Sequence, residues 1–452
     1  MTHKRLALAP LLCLVLGATA QAADLVEVFR QAQTADAVYA GARASWAAAQ
    51  EKIPQGRAGL LPQASVSATT QWNDRSLYLR PPSVNPFTGA VNPPTFAQFN
   101  TNAITLTIAQ PIFRRQNSLA YEQAKSQVTQ ADAQFAQAAQ DLIVRVSQAY
   151  FDVLLAQDNV ALSQAQKAAI SQQLEQAKRN FEVGTATITD THEAQARYDL
   201  TVSQEIAARN DLEIKRRTLE QVIGAAAPSL APLSPKLVLK PPEPAGVDVW
   251  VDEARRDNLQ VKAAEVGVTF AAQTVERNRA GHLPTLDAVA SYSDSTQNQG
   301  PVSTQGFESK TKAIGLQLAI PIYQGGLVNS QVREALANEE KARQDLENAR
   351  RTAELNARQS YLGVSNGLAQ VQALEAALVS SESQLESTRL GQQVGVRTQV
   401  DVLNAQQQLY TARRDLAQAR YNYVLSLLKL KAAIGQLTDN DVIGVNRWLG
   451  GS

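Results

Sequence analysis

The chain holds one cysteine and one methionine in 452 residues. Both, Cys13 and Met1, fall in the first 22 residues, where Lys4 and Arg5 precede an apolar run closed by Ala20-Gln21-Ala22. A basic start, a short apolar stretch and a small-residue end make up a cleavable secretory signal. Leu12 is bulky and Cys13 sits inside the apolar stretch, so Cys13 does not fit a lipid-attachment site. Beyond residue 22 there is no thiol, which excludes disulfides, zinc-thiolate sites, iron-sulfur clusters and cysteine nucleophiles.

Net charge is scarce too. The full chain carries a formal +1, and losing Lys4 and Arg5 with the signal leaves −1, a balance that argues against a nucleic-acid groove. After the signal only His192 and His282 remain as histidines, far apart in sequence, and nothing resembles a nucleophile elbow or a phosphate loop. No catalytic residue, metal or cofactor is expected. Long apolar runs are also missing: even Val424 to Leu430 is broken by Ser426 and Lys429, far short of the roughly 20 residues a membrane-spanning helix needs. A secreted chain without such a span still enters a membrane as a closed β-barrel, whose strands need only about 9 to 11 residues of alternation.

What the chain does contain is one plan written twice. Ala58-Gly59-Leu60-Leu61-Pro62 returns as Ala280-Gly281-His282-Leu283-Pro284, and Val183-Gly184 with Asp190 returns as Val394-Gly395 with Asp401. Ile104 to Phe113, with Pro111, returns as Ile314 to Tyr323, with Pro321, and Ile223-Gly224 returns as Ile434-Gly435. Residues 23–224 form the first repeat, 225–247 a linker with six prolines, 248–435 the second repeat and 436–452 a tail.

Proline is absent from 112–227 and from 322–452, stretches rich in Ala, Gln, Leu, Glu and Arg with apolar residues at three- and four-residue steps. The first repeat reads as helix 24–58, strands about 64–72 and 101–110, long helix 112–182 and helix 190–223. The second reads as helix 248–281, strands about 285–293 and 312–320, long helix 322–393 and helix 401–434. Residues 73–100 and 294–311 read as exposed loops. A 71-residue helix is about 105 Å long, far beyond a small globule, and two shorter helices stacked end to end match it. A tall, alanine-rich helical cylinder is expected. Each strand alternates an apolar face with a small polar one, which fits lipid outside and water inside, and equally a sheet half-buried against protein. Four strands cannot close a wide barrel, so the lipid reading requires several chains. Pro62, Pro111, Pro284 and Pro321 fall at the strand-helix junctions.

The most specific motif is Val394-Gly395-Val396-Arg397-Thr398-Gln399-Val400-Asp401-Val402-Leu403-Asn404-Ala405, followed by Leu409-Tyr410 and Ala419-Arg420-Tyr421-Asn422-Tyr423. With its duplication, the chain resembles the TolC family of trimeric outer-membrane exit ducts over essentially its whole length past the signal. The resemblance implies a mainly α fold with membrane β: long antiparallel coiled-coil helices forming an α-barrel, continuous with a trimeric 12-stranded β-barrel to which each chain gives four strands. It implies a homotrimer in the outer membrane that extends into the periplasm and works with a periplasmic adaptor and an inner-membrane pump. The pump supplies the energy, since this chain shows no nucleotide site. The implied function is passive exit in efflux or type I protein secretion, and the missing lipid-attachment cysteine leans towards the secretion or shared-duct branch.

The family closes its periplasmic end near the two turns marked here by Gly184 and Gly395. Its latch residues map to Thr189, Asp190 and Arg397, with Gln392 where the family has tyrosine. Its two aspartate rings map to Asp401 and, as a departure, Asn404. A plain structural role stays open beside this one. Thr187 to Asp190 and Thr398 to Asp401 both fit N-terminal capping boxes, and both glycines fit left-handed helix ends. The rival function is a secreted trimeric coiled-coil filament or adhesin without a channel.

Overall fold

The computed structural model describes residues 22–78, 84–91, 95–234, 239–299 and 305–450. The expected signal, save Ala22, and Pro81, Pro82, Pro93, Pro94 and Pro235 of the loop and linker lie outside these residues. The described chain forms two compact units. One is built from residues 22–44, 135–261 and 350–450, the other from 45–134 and 262–349.

The second unit carries one antiparallel sheet of β1 (Gln63–Leu77), β2 (Thr95–Phe113), β3 (Thr285–Gln297) and β4 (Phe307–Ala319), in that spatial order. Register sorts the side chains by chemistry. Val66 pairs with Leu106, Ile108 with Ala290, Ala290 with Ile314 and Leu286 with Leu318, so these residues share a face. Ile314, Leu316 and Leu318 on it are 88%, 70% and 61% exposed, an apolar surface that the described residues leave uncovered. On the opposite face Ser65 pairs with Thr107 and Thr107 with Ser291, while Thr105 and Ser293 share a hydrogen bond of 3.0 Å.

Both hairpins are longer than the alternation predicts. The ladder of β1 and β2 continues from Trp72 opposite Asn100 to Leu77 opposite Thr95, inside the expected loop 73–100. Polar pairs sustain it there: Asn73 donates to Thr101 at 3.2 Å and Gln98 to Asp74 at 3.3 Å. Likewise β3 runs on to Gln297 and β4 starts at Phe307. Pro62 and Pro284 stand immediately before β1 and β3. Pro111 lies within β2, at a register shift against β3, rather than at its end. A residue without an N–H is tolerated at such an irregularity, and the strand continues to Phe113. Pro321 follows the end of β4, but the helix expected from 322 begins at Leu327 because Gly325 and Gly326 adopt φ of +60° and +80°. Arg114 clamps the end of β2 to β3, its Nε and Nη2 donating to the two carboxylate oxygens of Asp287 at 2.7 and 2.5 Å.

The helices are α1 (Leu25–Ala35), α2 (Ala37–Gln50), α3 (Lys52–Ala58), α4 (Arg115–Glu182), α5 (Ile188–Ile223), α6 (Val247–Asp257), α7 (Leu259–Arg279), α8 (Leu327–Gln393), α9 (Gln399–Ala433) and α10 (Asp439–Asn446). Among the described residues no helix is long and apolar enough to cross a membrane. The single helices expected over 24–58 and 248–281 are broken, at the same place in each. Asp36 turns extended and accepts the N–H of Tyr39 at 2.6 Å; Asn258 turns extended and accepts the N–H of Gln260 at 2.9 Å. Each side chain caps the helix that restarts after it.

Within the first unit α8 and α9 meet along a heptad seam. Val371, Leu378 and Leu385 recur every seven residues on α8 and pack on Val402, Leu409 and Leu416 with the small Ala405 and Ala419. Alanine at alternate seam positions lets the helices approach closely. On another side of α9, Leu403 packs with Ile170, Leu174 and Ala177 of α4 and Ala194 of α5. Buried Tyr150 of α4 donates to the carbonyls of Ala23 and Ala231 at 3.2 and 2.8 Å, tying the chain start to the linker. The tail joins the same belt, Asn446 donating to Asp24 at 2.9 Å.

Candidate functional site

The two turns that join α4 to α5 and α8 to α9 carry the gate, constriction and turn residues expected from the sequence, and all of these lie in the first unit, whereas the four junction prolines lie in the second. Gly184 takes φ +75° and Gly395 +81°, the left-handed conformation that closes a helix at least cost without a side chain. In the first turn the N–H groups of Thr185 and Ala186 return to the Asn180 carbonyl at 2.8 and 3.2 Å. In the second those of Val396 and Arg397 return to Gly391 at 2.9 and 3.1 Å. The two turns thus spend their free donors in the same way.

Each turn then opens a helix with a capping box. Thr187 Oγ1 accepts the Asp190 N–H at 3.3 Å, and the Asp190 carboxylate accepts from the N–H and hydroxyl of Thr187 at 3.0 and 2.8 Å. Thr398 and Asp401 repeat this, with the carboxylate accepting at 2.9 Å from both groups. The N–H and hydroxyl of Thr398, with the nearby charge of Arg397, hold the Asp401 carboxyl below the usual carboxylate range. Asp401 therefore stays ionised at neutral pH while capping its helix.

Thr189 and Arg397 are exposed. Among the described residues no ion pair joins Arg397 to Asp190 within one chain; the two stand on different turns, each carboxylate engaged by its own cap. Gln392 donates to Gln399, and Gln399 donates to buried Gln173 of α4 at 3.2 Å, an amide ladder that runs from the end of α8 across the start of α9 to α4. Asn404 is exposed and accepts from Arg197 Nη2 of α5 at 2.9 Å.

Three features of this end lay outside the sequence reading. A Cβ on Gly391 would stand 2.8 Å from Cγ of Arg397, so the missing side chain makes room for the arginine stem. Glu205 of α5 is buried and held by Lys167 of α4 and by Arg209, whose Nε and Nη2 reach it at 3.0 and 2.6 Å. Arg197 sits seven residues after Asp190, one heptad along the same helix face, a spacing that a search around Asn404 alone does not reach. Among the described residues no group of His, Cys, Asp or Glu is arranged to hold a metal ion.

The chain matches the family described as Outer membrane efflux protein over residues 29–225 and 250–436. It is 34% identical to Outer membrane protein TolC of Vibrio cholerae serotype O1, over 95% of this chain and 94% of that protein. It is 31% identical to Proteases secretion protein PrtF of Dickeya chrysanthemi, over 96% and 92% of the two chains. Among solved structures, the CmeC outer membrane channel of Campylobacter jejuni superposes with a TM-score of 0.78 at 17% identity, covering 94% of this chain and 90% of that one. That likeness is one of fold: long helices with a four-stranded antiparallel sheet. The chain belongs to the outer membrane efflux protein family.

Proposed function

We propose that three copies of this chain close into a single duct through the outer membrane, with the helices reaching into the periplasm. The observation that carries this reading is the sheet. Its order leaves β1 and β4 as edges, one face is apolar and exposed, and the other is lined with serine and threonine. In hydrocarbon an unpaired edge leaves several backbone groups without partners. Pairing β4 of one copy with β1 of the next satisfies them, puts the apolar face against lipid and gives the bore its hydroxyl lining. A soluble filament has no use for an apolar sheet face of this kind, which favours the duct.

In this reading the protein is a passive conduit. A periplasmic adaptor and an inner-membrane pump bring cargo and energy, and the likeness to a proteases secretion protein supports polypeptide as one cargo class. The α4-α5 and α8-α9 turns form the periplasmic gate, where Arg397 of one copy meets Thr189 and Asp190 of its neighbour. Gln392, held in its amide ladder, replaces one link of that latch. Asp401 faces the narrow bore as an anionic ring.

The test is stoichiometry in detergent. Protein extracted from outer membranes and cross-linked at low concentration is expected to run as a trimer. A species that stops at monomer or dimer, or a rod that stays soluble without detergent, would refute the assembly.

A further inference from the structure

We propose that Arg197 is a counter-charge at the mouth of the bore that balances the Asp401 ring, so that the duct admits anionic cargo where an all-carboxylate constriction would repel it. This rests on the duct reading of the two turns.

The contact itself is direct. Arg197 Nη2 donates to Asn404 Oδ1 at 2.9 Å, and Asn404 is exposed on α9, three residues beyond Asp401. The spacing puts Asn404 within one helical turn of Asp401. The contact brings the guanidinium to the same level. An amide carbonyl positions an arginine without cancelling its charge, whereas an aspartate there would neutralise it. Asn404 takes up one of the five donors of the half-buried Arg197 side chain. Among the described residues no carboxylate forms an ion pair with Arg197. Glu193, a turn away on the same helix, makes no bond to it, and Asp199 accepts from Gln195 at 2.9 Å instead.

Threefold repetition turns these side chains into rings. One arginine and one aspartate per copy bring the local charge close to zero, so the field that would concentrate cations at a purely acidic constriction is largely cancelled. Asn404 and Arg197 thus act together: the neutral acceptor holds the cation in place and leaves its charge uncancelled.

The test is ion selectivity of purified channels in planar bilayers under a potassium chloride gradient, at low salt where screening is weakest. Arg197→Gln keeps a donor for Asn404 but removes the charge, and is expected to raise the potassium-to-chloride permeability ratio by at least about threefold. It should reduce the entry rate of a short polyglutamate peptide by a similar factor. Arg197→Lys keeps the charge and should stay close to wild type, which a merely structural role would not predict. Asp401→Asn should turn the channel anion-selective. Conducting Arg197→Gln channels with unchanged selectivity and peptide entry would overturn the assignment of Arg197 while leaving the duct intact. Wild-type protein that forms no channels would overturn the duct reading and this inference with it.

Discussion

Thr398 and Asp401 hold one another across the first turn of α9: the threonine hydroxyl accepts the aspartate N–H at 3.2 Å, and the carboxylate accepts the threonine N–H at 2.9 Å. Thr187 and Asp190 do the same at the start of α5. Residues expected to gate a bore therefore also start the helices that line it, and the two roles separate by experiment.

Thr398→Ala removes the cap and leaves the Asp401 charge. It is expected to cost about 1 kcal/mol of stability, read as a lower midpoint of chemical denaturation, with ion selectivity unchanged. Asp401→Asn is expected to alter selectivity at once. A selectivity change in Thr398→Ala equal to that in Asp401→Asn would mean that geometry, and not charge, sets the filter.

Arg397 is free to reach a neighbouring copy, since Asp190 is not its partner within the chain. Arg397→Ala and Asp190→Ala are each expected to raise the resting single-channel conductance. An exposed pair is worth only about 0–1 kcal/mol, but in the proposed trimer three copies of it would act on one gate. Gln392→Tyr is expected to lower the conductance below wild type by restoring the family's residue. Unchanged conductance in all three variants would leave these residues as helix caps and turn formers.

Glu205 supplies a pH dependence with a definite sign. Hydrogen bonds from Lys167 and then Arg209 hold its carboxyl below the usual range. A group whose folded pKa is depressed stabilises above its unfolded value, about 4.3 for glutamate, and loses that contribution as pH falls through the folded value. Glu205→Gln should therefore lower the melting temperature more at pH 7 than at pH 3. Equal destabilisation at both pH values would show that packing, not ionisation, is the contribution.

Leu403 is 2% exposed where α9 meets α4 and α5. Leu403→Ala is expected to cost about 2–5 kcal/mol through lost burial and the cavity left behind. Leu390, exposed on α8, should tolerate the same change within about 0.5 kcal/mol in the isolated chain. Calorimetry of both variants in detergent checks the contrast.

Much of this was legible in the sequence because it is local. Apolar residues at three- and four-residue steps, as in Leu409, Leu416 and Tyr423, specify a packing face, and Thr398 three residues before Asp401 specifies a cap, with no knowledge of the rest of the fold. The resemblance added the assembly, which no single chain encodes by periodicity. What escaped depends on distant partners. The strand ladder past Trp72 survives on polar pairs that the apolar alternation does not mark. Asp36 and Asn258 break helices that composition alone would continue; only an Asx residue between two helical stretches hinted at it. Gly391 and Arg197 matter through residues six and 207 positions away, Arg397 and Asn404.

Every role proposed for the two turns requires that the chain forms a water-filled duct. Single-channel recording of the purified, detergent-extracted protein in planar bilayers tests this most directly. It predicts discrete conducting events from a cross-linkable trimer, with conductance rising in Arg397→Ala. Trimers that insert into the bilayer but pass no ions, in wild type and Arg397→Ala alike, would contradict it.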